Sequence, residues 1–207
     1  MTAPITRPAL LLLDFDDVLA DFSPRLRSQA LARSLSLAPG HVASALAALG
    51  RDAVAGSEPQ QLDTLLQRLQ EQLECTVSAE HWHAARIAAT SVRRDCQQLL
   101  LRVNPGCALA ILSNNPAALA APIARMLDLP GLDASRVLTA GALGLRKPDP
   151  ACFQAALAQL QAAPAQTLFI DNLFTNVRGA RSAGLMADTA HHAQSLRKVL
   201  KRHQLIR

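Results

Sequence analysis

Residues 9–19 read Ala9-Leu10-Leu11-Leu12-Leu13-Asp14-Phe15-Asp16-Asp17-Val18-Leu19. A short, unbroken apolar run that stops on carboxylates suits a strand buried on both faces of a parallel sheet, with a polar loop at its carboxyl end. Similar runs recur at residues 108–113, 136–140 and 167–171, with 185–189 as a weaker fifth. Ala-rich segments of helical length lie between them, at residues 116–127, 150–161 and 176–183. Strand alternating with helix predicts an α/β fold, a Rossmann-like doubly wound parallel sheet.

Between the first and second runs lie about ninety residues without a strand-like pattern. They read as amphipathic helices over residues 24–36, 41–49, 60–73 and 79–91, with turn signals at 38–40, 56–59 and 75–78. A parallel crossover needs only one helix. The surplus predicts a helical cap inserted at residues 20–95, with the core formed by residues 1–19 and 96–207.

Composition narrows the function. Half of the 207 residues are hydrophobic and 18% are charged, which argues for a globular chain and against disorder. The longest apolar runs fall far short of the roughly 20 residues of a membrane span. The short run ending at Asp14 is also too brief for a secretory leader, so a cytoplasmic protein with no membrane association is expected. Cys75, Cys96, Cys107 and Cys152 follow no ligand spacing and are expected to be reduced thiols. A net charge of +5 favours anionic partners. The basic residues are dispersed and tyrosine is absent, so nucleic acid is disfavoured against a small anion. The oligomeric state is not legible.

Four polar segments fall at the carboxyl ends of predicted strands, where open α/β sheets assemble their sites. In the first, Asp14 and Asp16 leave a buried strand together. Adjacent acids in low dielectric call for a cation, and a hard one such as Mg²⁺ is the simplest, although an acidic turn reads the same way. In the second, Ser113 and Asn114 could hold phosphate oxygens or simply cap the next helix. The third, Gly144-Leu145-Arg146-Lys147-Pro148-Asp149-Pro150, fixes one of only three lysines in a rigid turn, which is also an ordinary surface motif. The fourth places Asp171 and Asn172 at a strand end, where side-chain caps are common.

In this order the four segments resemble the haloacid dehalogenase superfamily of phosphotransferases and hydrolases, over essentially the whole chain. The cap is similar to that of the branch holding sugar-phosphate phosphatases, including alpha-glucose-1-phosphate phosphatase. The resemblance implies a Mg²⁺-dependent phosphatase of a small phosphorylated metabolite. Asp14 would be the nucleophile that becomes an aspartyl-phosphate. Asp16 would be the acid/base. Ser113, Asn114 and Lys147 would hold phosphoryl oxygens, and Arg146 would support the turn. Asp14, the Asp16 carbonyl, Asp171 and Asn172 would hold the metal.

Two positions depart from the family pattern. Asn172 stands where a second acid is usual, and its amide brings no charge, so weaker metal binding is expected. Asp17 stands in place of a common glycine and would either restore charge or face solvent. Dehalogenation is disfavoured, because that branch lacks the acid/base that Asp16 supplies. Phosphonate chemistry is excluded in the family's form, because residues 20–95 contain no lysine. A phosphomutase shares the same core. The competing class is a catalytically weakened protein that binds a phosphorylated ligand or a partner. In the cap, Phe22, Arg25 and Arg27 follow the first loop closely enough to reach a substrate, although a helix arginine is more often solvated. Trp82 is expected as a cap anchor. His81 and His83 point to different helix faces and do not suggest a metal pair.

Overall fold

Leu10–Leu13 forms the central strand, β1, of a five-stranded parallel sheet. The computed structural model describes residues 7–50 and 59–207. The other strands of this sheet are β4 (Ala108–Ser113), β5 (Val137–Thr139), β6 (Thr167–Asp171) and β7 (Met186–Thr189), in the order β5-β4-β1-β6-β7. Leu10 to Leu13 pair with Ala108 to Ile111 on one side and with Thr167 to Ile170 on the other. The run is apolar throughout because both faces are covered. Leu11 and Leu13 enter one apolar cluster, with Ile111, Leu168 and Leu200, and Leu10 and Leu12 enter the opposite one, with Phe153, Phe169 and Val177. Burial of each leucine contributes roughly 2 kcal/mol, so a polar residue on either face would open the sheet at its centre.

The helical segment has its own core. Helices α1 (Pro24–Ser34), α2 (Pro39–Leu49), α3 (Pro59–Leu73) and α4 (Ala79–Ala88) share a third cluster built on Leu31, Leu46, Leu69 and Trp82. α2 and α3 begin at their prolines, earlier than the periodicity suggests, because a proline at the first helical position loses no needed hydrogen bond and has φ already set. Of the turn expected at 56–59, all but Pro59 lies outside the described residues.

One expectation is corrected. The stretch between β1 and β4 is not free of strands: β2 (Ala20–Phe22) pairs antiparallel with β3 (Thr90–Val92), and α4 stops at Ala88 instead of continuing to 91. Three-residue strands are too short to show a period, and this ribbon exists only because two segments seventy residues apart meet where the chain leaves and re-enters the sheet domain.

The remaining helices are α5 (Arg94–Leu100), α6 (Ala120–Leu127), α7 (Ala140–Leu143), α8 (Pro150–Leu160), α9 (Phe174–Ser182) and α10 (Ala193–Arg202). Gly179 in α9 is required by a close approach: a Cβ there would lie 2.0 Å from the Pro148 carbonyl oxygen. That contact seats the turn after α7 against α9, beside β6. Among the described residues no helix is long and apolar enough to cross a membrane.

Candidate active site

The strand order reverses around β1, so the carboxyl ends of β1, β4 and β6 open into one crevice. Asp14 follows β1, Ser113 ends β4 and Asp171 ends β6, and all three are buried. Lys147, only 2% exposed, enters from the turn before α8. Its Nζ lies 2.8 Å from Asp14 Oδ1 and 2.7 Å from Asp171 Oδ2, and 5.2 Å from the Phe169 ring centre. Asp171 is otherwise fully engaged, since Oδ1 accepts from the Leu173 amide at 2.8 Å and Oδ2 from Asn176 Nδ2 at 3.0 Å.

Burial sets the electrostatics. Loss of hydration, opposed by the Lys147 charge and reinforced by Asp171, leaves the Asp14 carboxyl raised to about 7. Burial alone would lower the Lys147 pKa, but the two facing carboxylates more than offset it, so the ammonium is held above the usual lysine value.

Asn114 has a different task from the phosphate contact expected of it. Its Nδ2 donates to the Lys147 carbonyl at 3.0 Å and its Oδ1 accepts from the Lys147 amide at 2.9 Å. Both ends of the side chain are occupied in clamping the turn that presents the lysine. The neighbouring Asn115, to which the sequence assigned no role, reaches the site instead: its Nδ2 donates to Asp16 Oδ2 at 2.7 Å and to Ser113 Oγ at 2.6 Å.

Asp16 lies on the helical side of the crevice. Arg86, from α4, places Nη2 2.5 Å from Asp16 Oδ1 and 3.5 Å from Asn115 Oδ1. Thr90 holds the same guanidinium through its hydroxyl, and the Phe22 ring lies 4.1 Å beneath it. Nothing in the sequence singles out Arg86. Of the arginines in α1, Arg25 is exposed, whereas Arg27 is buried over Trp82 and Phe22. Asp17 has φ 60° and is exposed at the rim, which accounts for a glycine preference at that turn and puts its carboxylate toward solvent. Arg93 Nη1 ties the loop by donating to the Asp17 carbonyl at 2.6 Å.

A cavity of about 440 Å³ joins these groups, with Asp14, Asp16, Ser113 and Lys147 on one wall and Arg27, Trp82 and His83 on the other. Asn172 also lines it, and Arg146 stands exposed at the rim. His81 is used otherwise: its ring accepts from the Ser78 amide in the cap box of α4.

No cluster of three or more Asp, Glu, His or Cys ligands exists among the described residues. The donors nonetheless suit a hard cation. Asp14, Asp16 and Asn172, whose side chains carry oxygen donors, line one cavity, and burial holds the Asp14 carboxyl raised despite the Lys147 ammonium beside it. A cation there would be held by one buried carboxylate, a backbone carbonyl and an uncharged amide, because Asp171 is committed to Lys147, Leu173 and Asn176.

The family model for haloacid dehalogenase-like hydrolases matches residues 8–184. No curated protein matches the chain significantly. Among solved structures, a HAD family enzyme from Bacteroides thetaiotaomicron, in complex with magnesium and inorganic phosphate, is similar at 16% identity and a TM-score of 0.65, covering 88% of this chain and 93% of that one. A 2-haloacid dehalogenase from Pseudomonas syringae pv. tomato is similar at 22% identity and a TM-score of 0.63, covering 94% and 99%. A HAD-like family hydrolase from Porphyromonas gingivalis is similar at 18% identity and a TM-score of 0.66, covering 97% and 100%.

Proposed function

The chain belongs to the haloacid dehalogenase-like hydrolases, and from that premise we propose that it is a Mg²⁺-dependent phosphatase of small phosphomonoesters. The observation that carries this reading is Asp16: a second carboxylate two residues after Asp14, facing the same cavity and held at both oxygens by Arg86 and Asn115. Hydrolysis of a carbon–halogen bond expels a halide that needs no proton, whereas an alkoxide leaving from phosphorus does. Two of the structural neighbours are haloacid dehalogenases that share the fold at 22% and 19% identity, which does not bear on that proton.

The steps follow from the residues. The Asp14 carboxylate attacks phosphorus, the bond from phosphorus to the ester oxygen breaks, and Asp16, which enters this step in its protonated form, gives that proton to the departing oxygen. Asp16, now ionised, takes a proton from water. The hydroxide attacks the phosphorus of the aspartyl-phosphate, releasing phosphate and restoring the Asp14 carboxylate. Lys147 and the Ser113 hydroxyl stabilise the equatorial oxygens, and Lys147 also keeps the attacking carboxylate in place. Asn114 acts through Lys147 as a positioning residue. Mg²⁺, held by Asp14, the Asp16 carbonyl and Asn172, would offset the charge of the phosphoryl group as it meets a carboxylate. A neighbour crystallised with magnesium and phosphate supports that assignment.

The test is phosphate release from p-nitrophenyl phosphate, sugar phosphates and nucleotides, with Mg²⁺ and with EDTA, against Asp14→Asn. Halide release from 2-chloropropionate is measured in parallel. Metal-dependent phosphate release lost in Asp14→Asn is expected. Halide release alone would replace the reading with dehalogenation. If only Asn172→Asp is active, the natural chain is a binding module.

A further inference from the structure

Two buried side-chain nitrogens lack any hydrogen-bond partner among the described residues, Arg27 Nε and His83 Nε2, and both residues line the same wall of the active-site cavity. Arg27 is 6% exposed, and it makes no ion pair or hydrogen bond through its side chain to a described residue. Its guanidinium instead lies 4.5 Å from the Trp82 ring centre and 5.2 Å from that of Phe22. Arg86, which also lies over the Phe22 ring, is neutralised by Asp16. Arg27 has no such counter-ion among the described residues.

A buried guanidinium without a carboxylate is costly, and breaking or omitting one half of a buried pair leaves the charge uncompensated. The cost shows in its acidity: burial, reinforced by the Arg86 charge, lowers the Arg27 pKa to about 10. Ring contacts orient the planar fork but supply no negative charge. An arginine fixed by aromatic stacking and aimed into a cavity is arranged to take a carboxylate or phosphate in two parallel hydrogen bonds. His83, whose pKa burial lowers, offers one more nitrogen on the same cavity lining.

Resting on the phosphatase reading, we propose that Arg27, stacked on Trp82 and assisted by His83, forms a subsite for a second anionic group, so that the substrate is a phosphomonoester carrying a further carboxylate or phosphate. The reacting phosphoryl group lies at Asp14 and Lys147, and the second anion lies against the cap. The subsite makes the enzyme selective for two-anion esters over the phosphates of neutral sugars or alcohols.

Trp82 is the only tryptophan in the chain, so its fluorescence reports on the subsite independently of turnover. Asp14→Asn protein, which retains the ester, is titrated with glycerol 3-phosphate, glycerate 3-phosphate and fructose 1,6-bisphosphate. Loss of a charged hydrogen-bonded pair corresponds to about tenfold to a hundredfold in affinity, and this is the expected advantage of at least one two-anion ester over glycerol 3-phosphate. A preference for glycerate 3-phosphate identifies a carboxylate subsite, and one for the bisphosphate identifies a phosphate subsite. Arg27→Met in the same background should collapse the advantage toward unity. Arg27→Lys, which keeps the charge and loses the fork, should retain part of it and carries the test if the Met variant does not fold. Equal affinities for all three esters, or an advantage unchanged by Arg27→Met and Arg27→Lys, would overturn the subsite. The phosphatase reading is judged separately by phosphate release. An Arg27-dependent advantage without any release would sustain the subsite and reject the catalysis, and release without the advantage would do the reverse.

Discussion

Arg86 Nη2 sits 2.5 Å from Asp16 Oδ1, joining α4 of the cap to the loop that follows the central strand. Asn115 holds the other oxygen at 2.7 Å, so the carboxylate is fixed from the cap side and the core side at once. The pair is partly open to solvent, with Asp16 33% exposed, and contributes on the order of 1 kcal/mol or less to stability. Its value lies in orientation. A proton donor set off its line by an ångström loses much of its effect.

A leaving-group comparison isolates that role. Asp16→Asn should slow the single-turnover release of alcohol from alkyl phosphates by about a hundredfold to ten-thousandfold, and that of nitrophenolate from p-nitrophenyl phosphate far less, because nitrophenolate departs without a proton, whereas the later hydrolysis of the aspartyl-phosphate is slowed alike for both. Arg86→Met should show the same bias toward alkyl esters at a smaller size, about tenfold. An equal loss in this first step for both ester types would indicate a structural disturbance and reject the positioning role.

Lys147 is the charge on which the core site balances. It is buried between Asp14 and Asp171, and its removal leaves two carboxylates facing each other in low dielectric. Lys147→Met should destabilise the fold by about 3 to 5 kcal/mol, as removal of one partner from a buried pair does. The check is the urea midpoint near neutral pH, paired with Asp171→Asn in the same background, which removes the repulsion and should recover part of the loss. A Lys147→Met midpoint equal to that of the natural protein would show that Asp14 and Asp171 are not both ionised there.

The parts of this arrangement that could be read in the sequence are those with a local cause. The leucine run ending at Asp14 and the run ending at Asp171 identify themselves, because apolar strands seldom stop on acids without a use for them. Lys147 stands out because prolines fix the turn around it. Arg86 carries no comparable signal. It is one arginine on an amphipathic helix, and its contact with Asp16 spans 70 residues and depends on the β2–β3 ribbon that the pattern did not predict. Asn114 and Asn115 are equivalent as letters. Which of them clamps Lys147 and which reaches Asp16 is decided by tertiary contacts with the turn before α8.

The thiols set an alkaline limit to stability. Burial raises Cys96, Cys107 and Cys152 from the usual 9.0 to about 11. Below about 9 the folded and unfolded states bind these protons alike, and stability is unaffected. As pH rises from 9 to 11 the unfolded chain releases them first, so unfolding becomes progressively easier. The urea midpoint should fall across that window, and Cys152→Ala should make the fall shallower. In the native state at pH 8, only the partly exposed Cys75 should react with a thiol reagent. Rapid native-state labelling of three or more thiols would contradict the burial argument.

Gly179 gives the sharpest test of how the sheet core holds its lysine. In an exposed helix an alanine would be favoured over glycine by about 1 kcal/mol. Here the added Cβ would meet the Pro148 carbonyl oxygen at 2.0 Å and the Phe153 ring at 3.2 Å. The carbonyl belongs to backbone next to Lys147 and cannot swing aside as a flexible side chain would. Overpacking of this kind costs about 1 to 3 kcal/mol, so the clash outweighs the propensity gain. Gly179→Ala should therefore lower the melting temperature. It should also reduce phosphate release more than the lost stability explains, because displacing Pro148 moves the Lys147 ammonium away from Asp14. A Gly179→Ala protein as stable as the natural one, with full activity, would mean that α9 and the lysine turn can part without consequence for the site.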